Sequence, residues 1–501
     1  MRRIFEKVGL TKPKYSGFDL SHEKKLSMDM GDLIPVLCEP VLPGDKFKVR
    51  SEVMIRMAPM LAPVMHRVNA FLHYFFVPNR LLWDSWEDFI TGGEDGTAAP
   101  TFPTITMSAI HTELGNTEGE LPDYLGLPTI DGAVTGTTAV SQLPFRAYQQ
   151  IFNDYYRDQT LKTIVDYTTT AGLLTRRARA WEKDYFTSAL PWAQRGTAPT
   201  FTVDETLNNP SGGEVKLRKL SDDTTLTSMS VSSDASGNLE GGSTDAYIDQ
   251  TEISTYTADI AELRRTSAIQ RWLEKQARGG ARYIETIKTH FGITSSDARM
   301  QRAEYLGGER IPMVISEVLN TSATATEPQG DMAGHGISIG QNSPVYLRAE
   351  EHGYIMGILS VLPRTAYQQG IPKHFLYDDK LDFPWPEFAN LGEQEIKQEE
   401  LYWDRTAADS VNNATFGYQQ RFAECKFAQS TVHGDFRSSL NYWHMGRIFS
   451  SAPALNWTFV KSDPTTRIFA AAGSDQTLWV QIYHDMKAAR QLPYFANPQL
   501  S

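Results

Sequence analysis

Four cations carry the clearest chemical signal in the chain. Arg264, Arg271, Lys275 and Arg278 stand at offsets of 0, 7, 11 and 14. At about 100° per residue on a helix, the last three point within about 40° of Arg264. Such a stripe can neutralise phosphates, and binding of that kind weakens as salt rises. Tyr283 and Phe291 follow closely and offer flat surfaces on which unpaired bases stack. A solvated helix face or a salt-bridged subunit contact would use the same residues. A second basic group opens the chain: Arg2, Arg3, Lys7, Lys12 and Lys14 against the single acid Glu6. Pro and Gly interrupt it, so residues 1–17 read as an extended arm or a frayed terminus.

Catalytic patterns are missing. No Gly-rich loop ends in Gly-Lys-Ser/Thr, and no strand runs into G-x-G-x-x-G. There is no HExxH pair. The eleven histidines are scattered, with Gly334-His335-Gly336 the most conspicuous. Glu393, Glu395, Glu399 and Glu400 form an acid cluster that reads as a solvated face rather than a glycosidase pair. The expectation is a protein with no catalytic residues, no metal site and no cofactor.

The elements that must hold the cations follow from periodicity. Asp259 to Arg278 reads as a helix with Ile269, Trp272, Leu273 and Gln276/Ala277 on one face, stopped by Gly279-Gly280. A short helix follows over Arg282 to His290. Leu81 to Ile90, Phe145 to Tyr156 and Ala171 to Tyr185 also show helical spacing. Lys46 to Met57 alternates strictly, with Phe47, Val49, Val53, Ile55 and Met57 on one face. Ala70 to Val77 is apolar on both faces, as a strand covered on both sides would be. Tyr354 to Leu362 and Leu478 to His484 read as further strands. Strands near both ends of the chain imply one core built from distant segments.

Composition narrows the class. With 48 Lys+Arg and 60 Asp+Glu among 501 residues, the net charge is −12, and 41% of residues are hydrophobic. That apolar share supports a sizeable core. The longest apolar run, Val68 to Val77, is about half of a membrane span. Cys38 and Cys425 cannot build a disulfide framework. No secretory h-region is visible at the N-terminus. Two stretches read as insertions: 91–140, rich in Gly, Pro and Thr, and 201–256. The latter has 17 Ser or Thr in 56 residues, and 10 acids against 3 bases. It reads as a protruding insertion with strand candidates at Glu214 to Leu217 and Thr224 to Val231, or as a linker. Residues 261–310 hold ten bases and six acids, so charge is polarised along the chain. Met57, Met60, Leu61 and Met65 could supply an adaptable contact or simply core.

Longer strings are more specific. FDLSHEKKLSMDMGDLIPVLCEPVLPGD (18–45) leads through the alternating strand to PVMHRVNAFLHYFFVPNRLLWDSWEDFITGG (63–93). DYFTSALPWAQRG (184–196) follows, and then RRTSAIQRWLEKQARGGARYIETIKTHFGITSSDARMQRAEYLGG (264–308). From about Phe18 to the C-terminal RQLPYFANPQL, the chain resembles the major capsid proteins of the small single-stranded DNA phages of the Microviridae, gokushovirus branch. The resemblance implies a mainly β fold. It would be an eight-stranded antiparallel jelly roll, a viral capsid β-sandwich, with long insertions containing several α-helices.

It implies a basic arm over 1–17 and one capsid domain over 18–501, with strands from both ends. Within that domain lie a surface loop at 91–140, a threefold spike at 197–257 and a helical insertion at 259–310. Sixty copies would close a T=1 icosahedral shell around circular single-stranded DNA. The implied partners are further copies of itself, the DNA genome, a small basic DNA-packaging protein, a minor or pilot virion protein, an internal scaffold and a bacterial surface receptor. The implied location is the virion, assembled in the host cytoplasm. Arg2, Arg3, Lys7, Lys12, Lys14, Arg264, Arg271, Lys275 and Arg278 are the candidates for nucleic-acid contact. The competing reading is a β-sandwich carbohydrate-binding or carbohydrate-active protein, suggested by the Trp content and acidic loops.

Overall fold

Strand pairing starts early, with Ser16–Asp19 (β1), His22–Met28 (β2), Ile34–Val41 (β3), Lys46–Met57 (β4) and Val68–Pro78 (β5). In β4, Phe47, Val49, Val53, Ile55 and Met57 are buried, while Lys46, Lys48, Glu52 and Arg56 face solvent. That alternation makes β4 a strand with one wet face. The computed structural model describes residues 14–132, 134, 136–200, 260–280, 282–319, 321, 332–470 and 476–495. Between 204 and 257 it also describes the backbone of six short strands.

The remaining long strands come late. They are Glu304–Pro312 (β6), Val314–Leu319 (β7), Met332–Gln341 (β8), Val345–Arg348 (β9), Gly353–Pro363 (β10), Glu393–Lys397 (β11), Thr415–Gln420 (β12) and Leu478–Arg490 (β13). A seven-stranded sheet runs β1-β13-β4-β8-β7, with β9 on β4 and β2 on β13. A four-stranded sheet runs β6-β5-β10-β3. Both are antiparallel throughout. The last long strand therefore lies between the first ones and β4, with Ile482 opposite both Lys24 and Val53.

Two sheets close on one shared core. Val49, Val53 and Ile55 of β4 pack with Ile482 of β13, Leu72 and Tyr74 of β5, and Ile355 and Leu359 of β10. The other face of the small sheet is covered too. There Phe75, Val77, Met356 and Ile358 pack against Ile110 of Met107–Leu114 (α1) and against Phe145, Tyr148 and Ile151 of Leu143–Ile151 (α2). This is why β5 is apolar on both faces. Segment 91–140, expected as a surface loop, supplies Ile105, Ile110, Leu121 and Ile130 to this second core. A third cluster joins Tyr185, Phe186, Tyr367, Ile396, Leu401, Phe416 and Phe459.

The helical expectation over Ala171 to Tyr185 does not hold. Only Thr170–Leu174 is helical. Beyond it the three arginines find tertiary partners: Arg176 with Asp32, Arg177 with Gln149, and Arg179 over the Phe71 ring. Those contacts pull the chain out straight, and local propensity yields to them. Leu81 to Ile90 is split into Asn79–Leu82 and Trp86–Thr91.

Residues 194–275 form a separate compact unit. Within it Asp204–Thr206 pairs with Thr255–Thr257, Leu217–Lys219 with Ala246–Ile248, and Val231–Ser233 with Leu239–Gly241. The three ladders are nested, so the chain runs out and returns along itself. Most of the expected strands Glu214 to Leu217 and Thr224 to Val231 lie outside the described residues. The helix Ile260–Gly279 (α3) follows, then Tyr283–Phe291 (α4). Along α3, Ile269 and Trp272 are 38% and 49% exposed, and Ala277 alone is buried among the helix's described residues. Among the described residues no helix is long and apolar enough to cross a membrane.

Candidate functional site

One large concave feature of the main unit is a cleft of about 980 Å³. β5 brings His73 and Phe75 to it, and β6 brings Tyr305. The π-turn after α2 brings Tyr155 and Tyr156, and the straightened segment brings Arg179, Trp181 and Lys183. The last turn of α3, with α4, adds Arg278, Arg282 and Lys288. Six cations and three carboxylates line this space, with an aromatic wall beside them.

Most of the cations are already engaged. Arg278 Nε donates to Glu393 Oε1 at 2.7 Å and Nη1 to Gln419 Oε1 at 2.7 Å, while Nη2 meets Glu393 Oε2. Burial pushes the Arg278 guanidinium down to about 10. Lys183 Nζ is 2.8 Å from Asp158 Oδ2, and Arg282 Nη1 is 3.0 Å from Glu285 Oε1. Arg179 Nη1 donates to Ser360 Oγ at 2.9 Å. Two buried donors, Arg157 Nε and Trp181 Nε1, have no hydrogen-bond partner among the described residues. His73 Nδ1 lies 2.7 Å from the Tyr156 hydroxyl. Burial first, and then nearby Arg179, push His73 down to about 4, so it is neutral near pH 7. The cleft therefore offers N–H donors and ring faces to an acceptor-bearing chain. Among the described residues it presents no nucleophile activated by a base.

Arg2, Arg3, Lys7 and Lys12 lie outside the described residues, and Lys14 is exposed. Arg264, Arg271 and Lys275 are exposed along α3. Arg278 is half-buried in the cleft on Glu393. Sequence reasoning missed His73, Tyr156, Arg179 and Trp181. The signal for two of them was the period-two run Arg177, Arg179, Trp181, Lys183, which marks extended chain.

The acid cluster is only in part the solvated face its composition suggested, with Glu395 exposed and Glu400 buried. Glu393 holds Arg278, and Glu395 accepts from Thr415 Oγ1 at 2.9 Å. Glu399 is 3.7 Å from Lys397, and buried Glu400 accepts from Tyr185 at 2.8 Å and Lys373 at 2.9 Å. The glycines beside His335 serve close packing, since a Cβ on Gly334 would meet Ala62 and one on Gly336 would meet Met57. Met57 and Met60 belong to the core, whereas Leu61 and Met65 are 49% and 69% exposed. Among the described residues no group of three His, Cys, Asp or Glu could hold a metal ion.

The chain is 35% identical to the capsid protein VP1 of Bdellovibrio phage phiMH2K, over 89% of this chain and 88% of that one. It is 30% identical to the capsid protein VP1 of Chlamydia phage 1, over 100% of this chain and 98% of that one. For the capsid protein VP1 of Spiroplasma virus 4 the identity is 29%, over 97% and 95%. The profile of the family described as capsid protein (F protein) matches residues 9–500. A match of that extent means that this chain belongs to the capsid protein (F protein) family.

Proposed function

We infer that this capsid protein closes, in sixty copies, a T=1 icosahedral shell around a circular single-stranded DNA phage genome. The observation that carries the reading is the family match over residues 9–500. Sheet order supports a jelly roll of eight strands: β2-β13-β4-β8 in one sheet and β3-β10-β5-β6 in the other. The nested ladders between 204 and 257 favour an exterior projection, 197–257, that meets the host surface. A chain of net charge −12 needs a basic companion to condense DNA, which favours a small DNA-packaging protein as partner. A pilot protein, an internal scaffold and assembly in the bacterial cytoplasm complete the reading. The arm and the α3 cations are its candidate DNA contacts, and its role is structural rather than enzymatic.

The test is particle mass in solution with electron microscopy on the same sample of the expressed chain. Uniform closed shells of sixty subunits are expected, alone or after adding scaffold and DNA. A monomer that never assembles with any of these partners would overturn the reading.

A further inference from the structure

The open face of the seven-stranded sheet carries a hollow that the reading so far leaves unused. Two rows of side chains cross four strands there. In the first, Tyr346 of β9 stands opposite Lys48 of β4, Lys48 opposite Lys487 of β13, and Lys487 opposite Asp19 of β1. In the second, Arg348 stands opposite Lys46, Lys46 opposite Ala489, and Ala489 opposite Gly17. With strands about 4.8 Å apart, each row spans roughly 14 Å. The short side chains of Gly17 and Ala489 leave a depression of about 450 Å³, walled by Tyr346, Lys46, Lys48, Lys487 and the Asp19 carboxylate.

Three features of this corner point to one kind of occupant. First, Lys48 faces Lys487 and Lys46 faces Arg348 in exact register, and like charges directly opposite destabilise a sheet. Asp19 and Asp485 engage Lys487, but Lys48 and Arg348 make no ion pair among the described residues. An anion over the rows would relieve that repulsion. Second, the Tyr346 ring is 66% exposed beside those cations. A flat ring next to phosphate-binding charges suits a chain that alternates bases and phosphates. Third, β1 begins only two residues after Lys14. Lys14 is the last of the five bases of residues 2–14.

We propose that this hollow is a nucleotide subsite for single-stranded DNA, with a base stacked on Tyr346 and the flanking phosphates on Lys46, Lys48 and Arg348. The proposal rests on the capsid reading and names where the sheet would meet the genome. Its charge would also suit an acidic protein segment, such as residues 201–256 of another copy, but such a segment gives the exposed ring nothing to stack on.

The experiment uses the purified full chain and a labelled short oligothymidylate, with fluorescence anisotropy over a salt series. Lys48→Ala is expected to lower the magnitude of the salt slope by about 0.7, the value for one phosphate on a single strand. Tyr346→Leu is expected to weaken binding about five- to a hundredfold with the slope unchanged, the loss of one stacked base. Without DNA, Lys48→Gln is expected to raise the unfolding midpoint, because a like-charge pair is removed. DNA bound by the wild type but untouched by both substitutions overturns the subsite and leaves the capsid reading standing, above all if Arg271→Glu/Lys275→Glu abolishes binding instead. Polyglutamate competing equally well, with Tyr346→Leu silent, assigns the hollow to a protein and overturns it too. Particles assembled in the presence of single-stranded DNA that enclose none of it would overturn the DNA-enclosing reading and the subsite with it.

Discussion

His484 is fully buried at the centre of the sandwich and is held at both ring nitrogens. Nε2 donates to the Val36 carbonyl at 3.1 Å, and Nδ1 accepts from the Ser51 hydroxyl at 2.6 Å. Ser51 in turn meets the Tyr74 hydroxyl. Ser, His and Tyr in a chain resemble a nucleophile with its base, but Ser51, Tyr74 and His484 are each 0% exposed and no substrate can reach them. Burial, and then the neighbouring His22, push His484 down to about 4. The unfolded chain, with histidine near 6.5, then binds the proton first. Stability is complete above pH 6.5 and falls as the pH drops to 4, by about 3 kcal/mol for this group. His73 acts in the same direction. Asp32, raised to about 6 by burial against the pull of Arg176, acts in the opposite one. Its stabilisation is full below 3.8 and fades as pH rises through 6. Urea unfolding at pH 7 and pH 4.5 should show the net loss, and His484→Phe should flatten it. An equal pH dependence in the variant would remove His484 as the cause. None of this was legible in the sequence, because Ser51 and His484 are 433 positions apart. Period and composition report what a residue does with its near neighbours.

At the scale of elements, legibility followed locality. The strict alternation of Lys46 to Met57 and the doubly apolar run Ala70 to Val77 became β4 and β5, because each pattern records which faces are covered. β5 separates two cores, with Leu72 on the sandwich side and Phe75 against α2. Leu72→Ala should therefore cost about 2–5 kcal/mol and Phe75→Ala about 3–5. Arg56→Ala, on the wet face of β4, should stay within about 0.5. Denaturant midpoints would decide, and a Phe75 variant as stable as the Arg56 one would contradict a second core. Helix α3 ends within a residue of its expected limits, yet Ile269 and Trp272 on its apolar face are far from buried. The helix was readable from spacing, and the use of its face was not. The cleft was harder still. Its walls come from β5, the π-turn, residues 179–183, α4 and β12, and no local window holds more than one of them.

Across the whole molecule, the unit 194–275 and the two-sheet body answer to different demands. Thr206 is paired with Thr255, so the ends of the excursion between them are neighbours. Removing residues 207–254 behind a short Gly-Ser link should leave thermal unfolding of the body and particle formation intact, while adsorption to host cells falls at least tenfold. Loss of assembly in that variant would make the excursion a structural part of the shell. The position of β13 has a consequence of another kind, which concerns time. The strand that completes the large sheet spans residues 478–490 of 501, while its partners β1, β2 and β4 lie within the first 57. At about 5–20 residues per second, the ribosome needs roughly 20–85 s to go from β4 to β13, and the centre of this sheet stays empty throughout. A nascent or prematurely released chain thus has no finished sandwich to offer a growing shell. Translation through β13 becomes a checkpoint, and a ribosome that stops before it yields a fragment for proteolysis rather than a defective tile.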